Sequence, residues 1–175
     1  MVAWRTEEQS GANRRGESLS TFLGSYRFRV SAKGRISIPA PIRDGLAAGA
    51  DGTFVILPGP EGCLEAYPLD EWMRRVKFLK SIPNRKKARI YKRKLLTNAV
   101  SCKMDAQHRI IIPVELLRWA GIEDEVLIVG QLERLELWNP STYEKQDAEN
   151  DIPIEDILEE IEDLLEDRRH ESGGD

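Results

Sequence analysis

The stretch V-S-A-K-G-R-I-S-I-P at residues 30–39 returns as M-D-A-Q-H-R-I-I-I-P at residues 104–113, an offset of 74. Each copy reads as a strand end, a tight turn, an Arg and an Ile-rich strand closed by proline. A unit used twice in one chain directs the search for function to the repeated turn and its Arg. Upstream, Tyr26, Phe28 and Val30 answer Val100, Cys102 and Met104, and Arg29 answers Lys103. Downstream, Leu64, Glu65, Ala66 and Tyr67 answer Leu135, Glu136, Leu137 and Trp138, and Trp72 answers Tyr143, now at an offset of 71. The shortfall falls in the loop Pro58-Gly59-Pro60-Glu61-Gly62, which is longer than its counterpart Gly130-Gln131-Leu132-Glu133. Two half-domains follow, each so small that a shared core is expected.

Phe22, Tyr26, Phe28 and Val30 lie at even positions, with Arg27 and Arg29 between the last three, the pattern of a half-buried strand. Setting Val30 opposite Ile36 and Phe28 opposite Ile38 predicts a hairpin closed by the loop Ala32-Lys33-Gly34, with Gly34 left-handed. The same register pairs Ser31 with Arg35 and Asp105 with Arg109. The Asp105 carboxylate can hold Arg109, which gives that Arg a mainly structural role. Arg35 faces no carboxylate and, with Lys33, is the better candidate to meet a ligand. His108 stands where the first turn has glycine; His is enriched among non-glycine residues in left-handed backbone, so it reads as a turn residue before a catalyst. Ile110, Ile111 and Ile112 are apolar on both faces, which predicts a strand covered on both sides.

Pro39 and Pro113 each open a short helix, with Gly45 and Gly121 near the ends. Residues 53–57 with 63–67, and 125–129 with 134–138, read as strand pairs. The expected organisation is a flexible N-terminal arm at 1–20 carrying Arg14 and Arg15, a first repeat at 21–72, a basic helical connector at 73–95, a second repeat at 96–146 and an acidic amphipathic tail at 147–175. Residues 74–94 hold eleven Lys or Arg and no acid. Pro83 should divide this segment, Asn84 should cap its second helix, and Trp72, Val76, Leu79, Ile90 and Leu95 supply apolar contacts. Two readings of the cations stand, a solvated face and a nucleic-acid surface. In the tail, Ile154, Ile157, Leu158, Ile161, Leu164 and Leu165 share one side of a helical wheel. Such a helix should dock on its own subunit or a neighbour, and its acidity makes an anionic membrane a poor partner.

The net charge of -4 resolves into +7 for residues 1–143 and -11 for residues 144–175. A basic body points to an anionic partner and the acidic tail to a competitor for it. No apolar run reaches the ~20 residues that span a bilayer, and residues 1–8 lack the apolar segment of a signal peptide, so the expected compartment is the cytoplasm. Cys63 and Cys102 lie in apolar strand-like runs without a C-x-x-C partner and read as buried reduced thiols. His108 and His170 have no ligand cluster around them, so no metal site and no cofactor are expected. No nucleophile has a visible base and orienting acid, which argues against an enzyme and a small-molecule substrate. Exposed aromatics interleaved with cations, the mark of an RNA stacking platform, are missing.

The paired turns, the lead-in Cys102-Lys103-Met104-Asp105, the stretch Val129-Gly130-Gln131 and the strand Leu135-Glu136-Leu137-Trp138 together resemble the MraZ family of bacterial transcriptional regulators, related to the AbrB group, over roughly residues 21–146. The family pattern of Asp, two variable residues, Gly, Arg, apolar residues and Pro falls on Ser31, Lys33, Gly34, Arg35 and Pro39, then on Asp105, His108, Arg109 and Pro113. Ser31 and His108 are departures from it. The resemblance implies an α+β fold: a double-split β-barrel built from two pseudo-symmetric repeats, with short helices and an acidic C-terminal helix. It also implies a ring-shaped homo-oligomer that binds double-stranded DNA at short tandem repeats upstream of a cell-division and cell-wall gene cluster, hence a nucleoid-associated protein. Lys33 and Arg35 would then approach a groove with Arg109 alongside, while Arg27 and Arg29 hold the backbone. Gly34, Asp105, His108, Pro39 and Pro113 would shape the turns. The rival expectation is an AbrB-like antitoxin or adaptor that binds a protein through its acidic tail.

Overall fold

The computed structural model describes the backbone of residues 19–172 and the side chains of residues 19–165. In the first half the elements are β1 (Ser25–Arg29), β2 (Arg35–Ser37), α1 (Ala40–Asp44), β3 (Thr53–Pro58), β4 (Leu64–Pro68) and α2 (Leu69–Ser81). After α3 (Lys86–Thr97) the order repeats as β5 (Val100–Lys103), β6 (Arg109–Ile111), α4 (Val114–Trp119), β7 (Glu125–Gln131), β8 (Arg134–Trp138) and α5 (Pro140–Glu149), and α6 (Ile154–Ser172) closes the chain. The chain divides into two compact units, the first ending at Thr142 and the second beginning at Tyr143.

The strands form two sheets, both antiparallel. The larger has the order β1-β7-β8-β4-β3-β5, which reads the same when the two halves are exchanged, and the smaller is the ribbon β2-β6. No closed barrel is formed by the described strands. This arrangement corrects the expected hairpins. Val30 does not face Ile36, nor Phe28 Ile38; Phe28 pairs with Val126 of β7, and Ile36 pairs with Ile110 of β6. In the other half, Cys102 of β5 pairs with Phe54 of β3. Each turn joins two strands that diverge at once and pair with the opposite repeat.

The exchange lets two small repeats share one core. Ile36 in β2 with Ile38 just after it, and Ile110 in β6 with Ile112 just after it, are each 1% exposed and pack with Phe54, Ile56, Leu64, Val126, Ile128, Leu135 and Leu137 from the large sheet. Each such side chain contributes about 1.5–3 kcal/mol when fully buried. Neither repeat could bury these faces alone, which is why the apolar alternation of β1 and β2 is satisfied only across the halves.

A second cluster covers the outer side of the first repeat. Val55, Leu57, Tyr67 and Trp72 pack with Val76 of α2 and with Leu95 of α3, so β3 and β4 are buried on both faces. Pro83 lies between α2 and α3 as expected. The cap differs: Arg85 occupies the N-cap of α3 and makes no side-chain cap bond, while the Asn84 carbonyl accepts from Arg89 Nη1 at 3.3 Å. Ile90 is 42% exposed rather than packed, because the half-buried side of α3 runs through Lys92 and Leu95 instead.

Both thiols are free and buried. Ser20 is anchored, its N–H and hydroxyl donating to Asp70 while its Oγ accepts from the Ala47 N–H at 2.9 Å. Arg14 and Arg15 lie outside the described residues.

Candidate nucleic-acid interface

The two turns have the same shape from different residues. In the first, Gly34 N–H donates to Ser31 O at 2.8 Å and Ser31 N–H to Arg35 O at 3.0 Å; in the second, His108 N–H donates to Asp105 O at 2.9 Å and Asp105 N–H to Arg109 O at 2.8 Å. The expected left-handed positions are found at Gly34 (φ 70°) and His108 (φ 58°). Glycine is required at the first: a Cβ there would sit 2.3 Å from the Ile112 carbonyl oxygen. Pro39 and Pro113 occupy the N-caps of α1 and α4, where a missing N–H breaks no bond.

Position 31 is where the turns part. Asp105 Oδ1 accepts from the Gln107 and Arg109 N–H groups, and Oδ2 accepts from Arg109 Nε at 3.1 Å and Nη2 at 2.9 Å. Hydrogen bonding from the Arg109 side chain is the main cause that holds the Asp105 carboxyl below its ordinary pKa. Ser31 keeps the backbone half of this arrangement, its Oγ accepting from the Arg35 N–H at 3.1 Å. It has no charge with which to hold the side chain. The Arg35 guanidinium has no ion-pair partner among the described residues, and its Nε is buried without a hydrogen bond.

The ribbon register brings these groups to one face. Arg35 pairs with Ile111 and Ser37 with Arg109, while the intervening pair Ile36 and Ile110 points into the core. Arg35 and Arg109 are thus diagonal neighbours on the outward face, a separation of about 7–8 Å along the backbone and somewhat less between Cβ atoms. Exposed Lys33 lies in the loop at one end of the ribbon, and exposed His108 in the loop at the other. Ile111 is 53% exposed on this face, which corrects the expectation of a strand covered on both sides. Ser37 and Ile111 were missed as members of the face. Alternation along each strand would have found them once β2 was paired with β6, but that pairing joins residues of different repeats.

Arg27 and Arg29 are not part of this face. They project from the outer side of β1 in the large sheet, where Arg27 Nη1 lies 3.9 Å from Glu125 Oε2 and Arg29 pairs with Glu125 in register. Lys103, which answers Arg29, has its Nζ 2.8 Å from Asp51 Oδ2.

A third polar constellation lies on the outer side of β4 and β8, where Glu65 directly opposes Glu136. Two like charges so placed destabilise a sheet unless neutralised. Arg134 does this, with Nε 3.2 Å from Glu65 and Nη2 3.5 Å from Glu136. The Tyr67 hydroxyl donates to Glu65 and accepts from Arg75 Nη1, which withdraws Arg75 from the connector's free cations. Burial, followed by the Glu65 charge, pushes Tyr67 up to about 12. Each charged side chain here has an opposite charge or the Tyr67 hydroxyl against it, although Arg134 Nε and Arg75 Nε are buried without a hydrogen bond, so the cluster reads as structural. Among the described residues no group of three His, Cys, Asp or Glu is placed to hold a metal.

The MraZ protein family model, antitoxin-like by its description, matches residues 21–93 and 95–164 of this chain. A transcriptional regulator MraZ of Lachnoclostridium phytofermentans is 37% identical over 140 residues, covering 80% of this chain and 96% of the relative. One of Pelotomaculum thermopropionicum is 39% identical over 144 residues, covering 82% and 97%. One of Clostridium beijerinckii is 38% identical over 144 residues, covering 82% and 98%.

Proposed function

The chain belongs to the MraZ family, and on that premise we propose that it is a DNA-binding transcriptional regulator that reads short tandem repeats through the outward face of the β2–β6 ribbon. The observation that carries this reading is the unpartnered Arg35 guanidinium beside the tethered Arg109 on that face. A two-stranded ribbon fits the major groove of B-DNA, about 12 Å wide, and Arg suits the paired O6 and N7 acceptors of guanine. Arg35 supplies the readout, Lys33 reaches a phosphate from the loop, and Arg109 is presented at a fixed angle by Asp105. Arg27 and Arg29 act at most on the backbone, since they leave from another sheet beside Glu125.

One such face makes few contacts and binds weakly. The ring-shaped homo-oligomer that the family resemblance implies would present several faces to spaced repeats, with the gain of effective concentration. The tandem repeats upstream of a cell-division and cell-wall gene cluster are the target in this reading, and the cytoplasm, at the nucleoid, is the compartment. Among the described residues no helix is long and apolar enough to cross a membrane. The palindromic strand order is in keeping with a double-split β-barrel. The reading is of a regulator, not an enzyme. A second reading, an antitoxin or adaptor that engages a protein through α6, is favoured by the exposed apolar side of that helix.

The test is a salt-titrated binding assay with the DNA upstream of the gene's own cluster against a scrambled duplex of equal length. Repeat-dependent binding that weakens as salt rises is expected. Arg35→Ala should remove about 1–3 kcal/mol per guanine contact while the oligomer persists; unchanged operator affinity in that variant would overturn the proposal.

A further inference from the structure

Exposed aromatics interleaved with cations, expected from the sequence to be missing, are present on the folded surface. Phe78 of α2 is 63% exposed and Tyr91 of α3 is 44% exposed, and both stand in the most basic segment of the chain. Tyr91 follows Lys87 by four residues and precedes Lys94 by three, so these side chains share one stripe of α3. Phe78 and Lys77 are exposed together on α2, whose Trp72 and Leu79 are buried.

Some cations of these helices are engaged. Arg74 pairs with Glu71, Arg75 donates to the Tyr67 hydroxyl, and Arg89 and Lys92 donate to the carbonyls of Asn84 and Ile82. Lys77, Lys80, Lys86, Lys87, Arg93 and Lys94 are exposed and have no ion-pair partner among the described residues. Their place in the layers sets them apart from the ribbon. Phe54 and Ile56 of β3 face the ribbon, and the alternate residues Val55 and Leu57 face α2 and α3. The large sheet stands between the two surfaces, so a duplex seated on the ribbon does not engage these cations. They suit another polyanion.

The rings decide which one. A duplex offers phosphates but keeps its base faces stacked inside, and so leaves Phe78 and Tyr91 without a partner. An unpaired strand offers phosphates to the cations and free base faces to the rings, and each stacked base is worth about 5- to 150-fold in affinity. We propose that the exposed side of α2 and α3 is a second nucleic-acid site, which holds single-stranded RNA by stacking bases on Phe78 and Tyr91 while Lys77, Lys80, Lys87, Arg93 and Lys94 neutralise its phosphates. RNA is the occupant because cellular DNA is paired, whereas RNA presents bases in unpaired loops and ends. Every base has a π-face, so the site reads strandedness rather than sequence. The proposal goes beyond the DNA reading and does not depend on it, since the two surfaces lie on opposite sides of one sheet and each can fail alone.

The experiment measures fluorescence anisotropy of a labelled oligouridylate of about 20 nucleotides, enough for more than one site, with the full-length chain. Binding that weakens as salt rises is expected. Phe78→Leu with Tyr91→Leu keeps the apolar character and removes the rings; it should lower oligouridylate affinity at least about tenfold and leave operator affinity and the melting curve unchanged. Phe78→Tyr with Tyr91→Phe should restore it. Lys87→Gln with Lys94→Gln removes two phosphate contacts and should flatten the slope of log affinity against log salt by about 1.4. Arg35→Ala should leave oligouridylate binding intact, which separates this site from the ribbon. With 5-iodouridine in the strand, irradiation should cross-link it to Phe78 or Tyr91.

Equal displacement by a scrambled duplex, with the Leu variant binding as well as the unsubstituted chain, would show that the cations hold phosphate alone and would overturn the proposal. Oligothymidylate bound while oligouridylate is refused would assign the face to unpaired DNA instead. No binding of either strand, with the Leu variant sedimenting as a smaller species, would make the face a contact between copies of this chain.

Discussion

Gly34→Ala tests the turn on which the proposed interface depends. The backbone there has φ 70°, and a Cβ would stand 2.3 Å from the Ile112 carbonyl oxygen. Holding an L-residue in left-handed backbone costs about 1–2 kcal/mol. The collision is additional, because contact must open by roughly 1 Å to reach ordinary van der Waals distance. The oxygen belongs to backbone whose N–H donates to the Gly34 carbonyl at 2.9 Å, so the shift also strains a bond that ties the first turn to the second repeat. A total of about 2–5 kcal/mol follows from adding the left-handed cost to a packing strain of the usual core size. Gly62 is the control: its φ is 88°, and a Cβ there meets nothing within 4 Å, so Gly62→Ala carries the backbone cost alone. Both variants would be measured by urea unfolding at one protein concentration, since association shifts apparent stability. The Gly34 variant should be the less stable by at least about 1 kcal/mol, with a melting temperature lower by about 2–4 °C for each kcal/mol. Equal losses at the two sites would refute the argument that the Ile112 carbonyl closes on this turn.

Asp105→Ala should lower the melting temperature more than it lowers operator affinity, since the carboxylate holds the Arg109 side chain and two backbone turn bonds rather than DNA; the reverse ranking in melting and binding assays would reverse the roles given to the two turns. The Asp105 carboxyl is held below its ordinary pKa by Arg109. Its contribution to stability should therefore be complete above the ordinary carboxylate pKa and disappear as pH falls through the lowered native value, which an NMR titration of the Asp105 carboxyl carbon would follow. Cys63 and Cys102 are pushed up by burial, with the Glu136 and Glu65 charges adding to the effect at Cys63. Neither should react with a thiol reagent in the native protein at about pH 8, and both should react on denaturation; fast native labelling would show that the core opens at these strands.

Much of the local structure was legible before any contact was known. Alternation marked Tyr26, Phe28 and Val30 as the inner side of a strand, the prolines marked helix starts, and the turn register found both left-handed residues, His108 included. The unequal tethering of Arg35 and Arg109 followed from a single difference, Ser31 against Asp105, and the structure has that geometry. These features depend on residues within a few positions of each other. One local expectation failed, the Asn84 cap, which falls one residue later at Arg85; the others that failed concern distant neighbours. Ile111 and Ile90 are apolar by sequence yet exposed, because their faces were decided by which strand or helix lay opposite.

The sequence by itself determined the repeat, the order of elements, the turn shapes and, where apolar and polar residues alternate as in β1, the side of the strand that must be buried, because backbone sterics and side-chain period act locally. Only the tertiary structure decided with whom each strand pairs. An apolar face specifies that it be covered but not by what, and a hairpin within one repeat would have satisfied β1 and β2 as well as the exchange does on period alone. The exchange wins because a repeat of this size has too little core of its own. By placing β2 against β6, it sets Arg35 and Arg109, 74 residues apart in the chain, on one outward face.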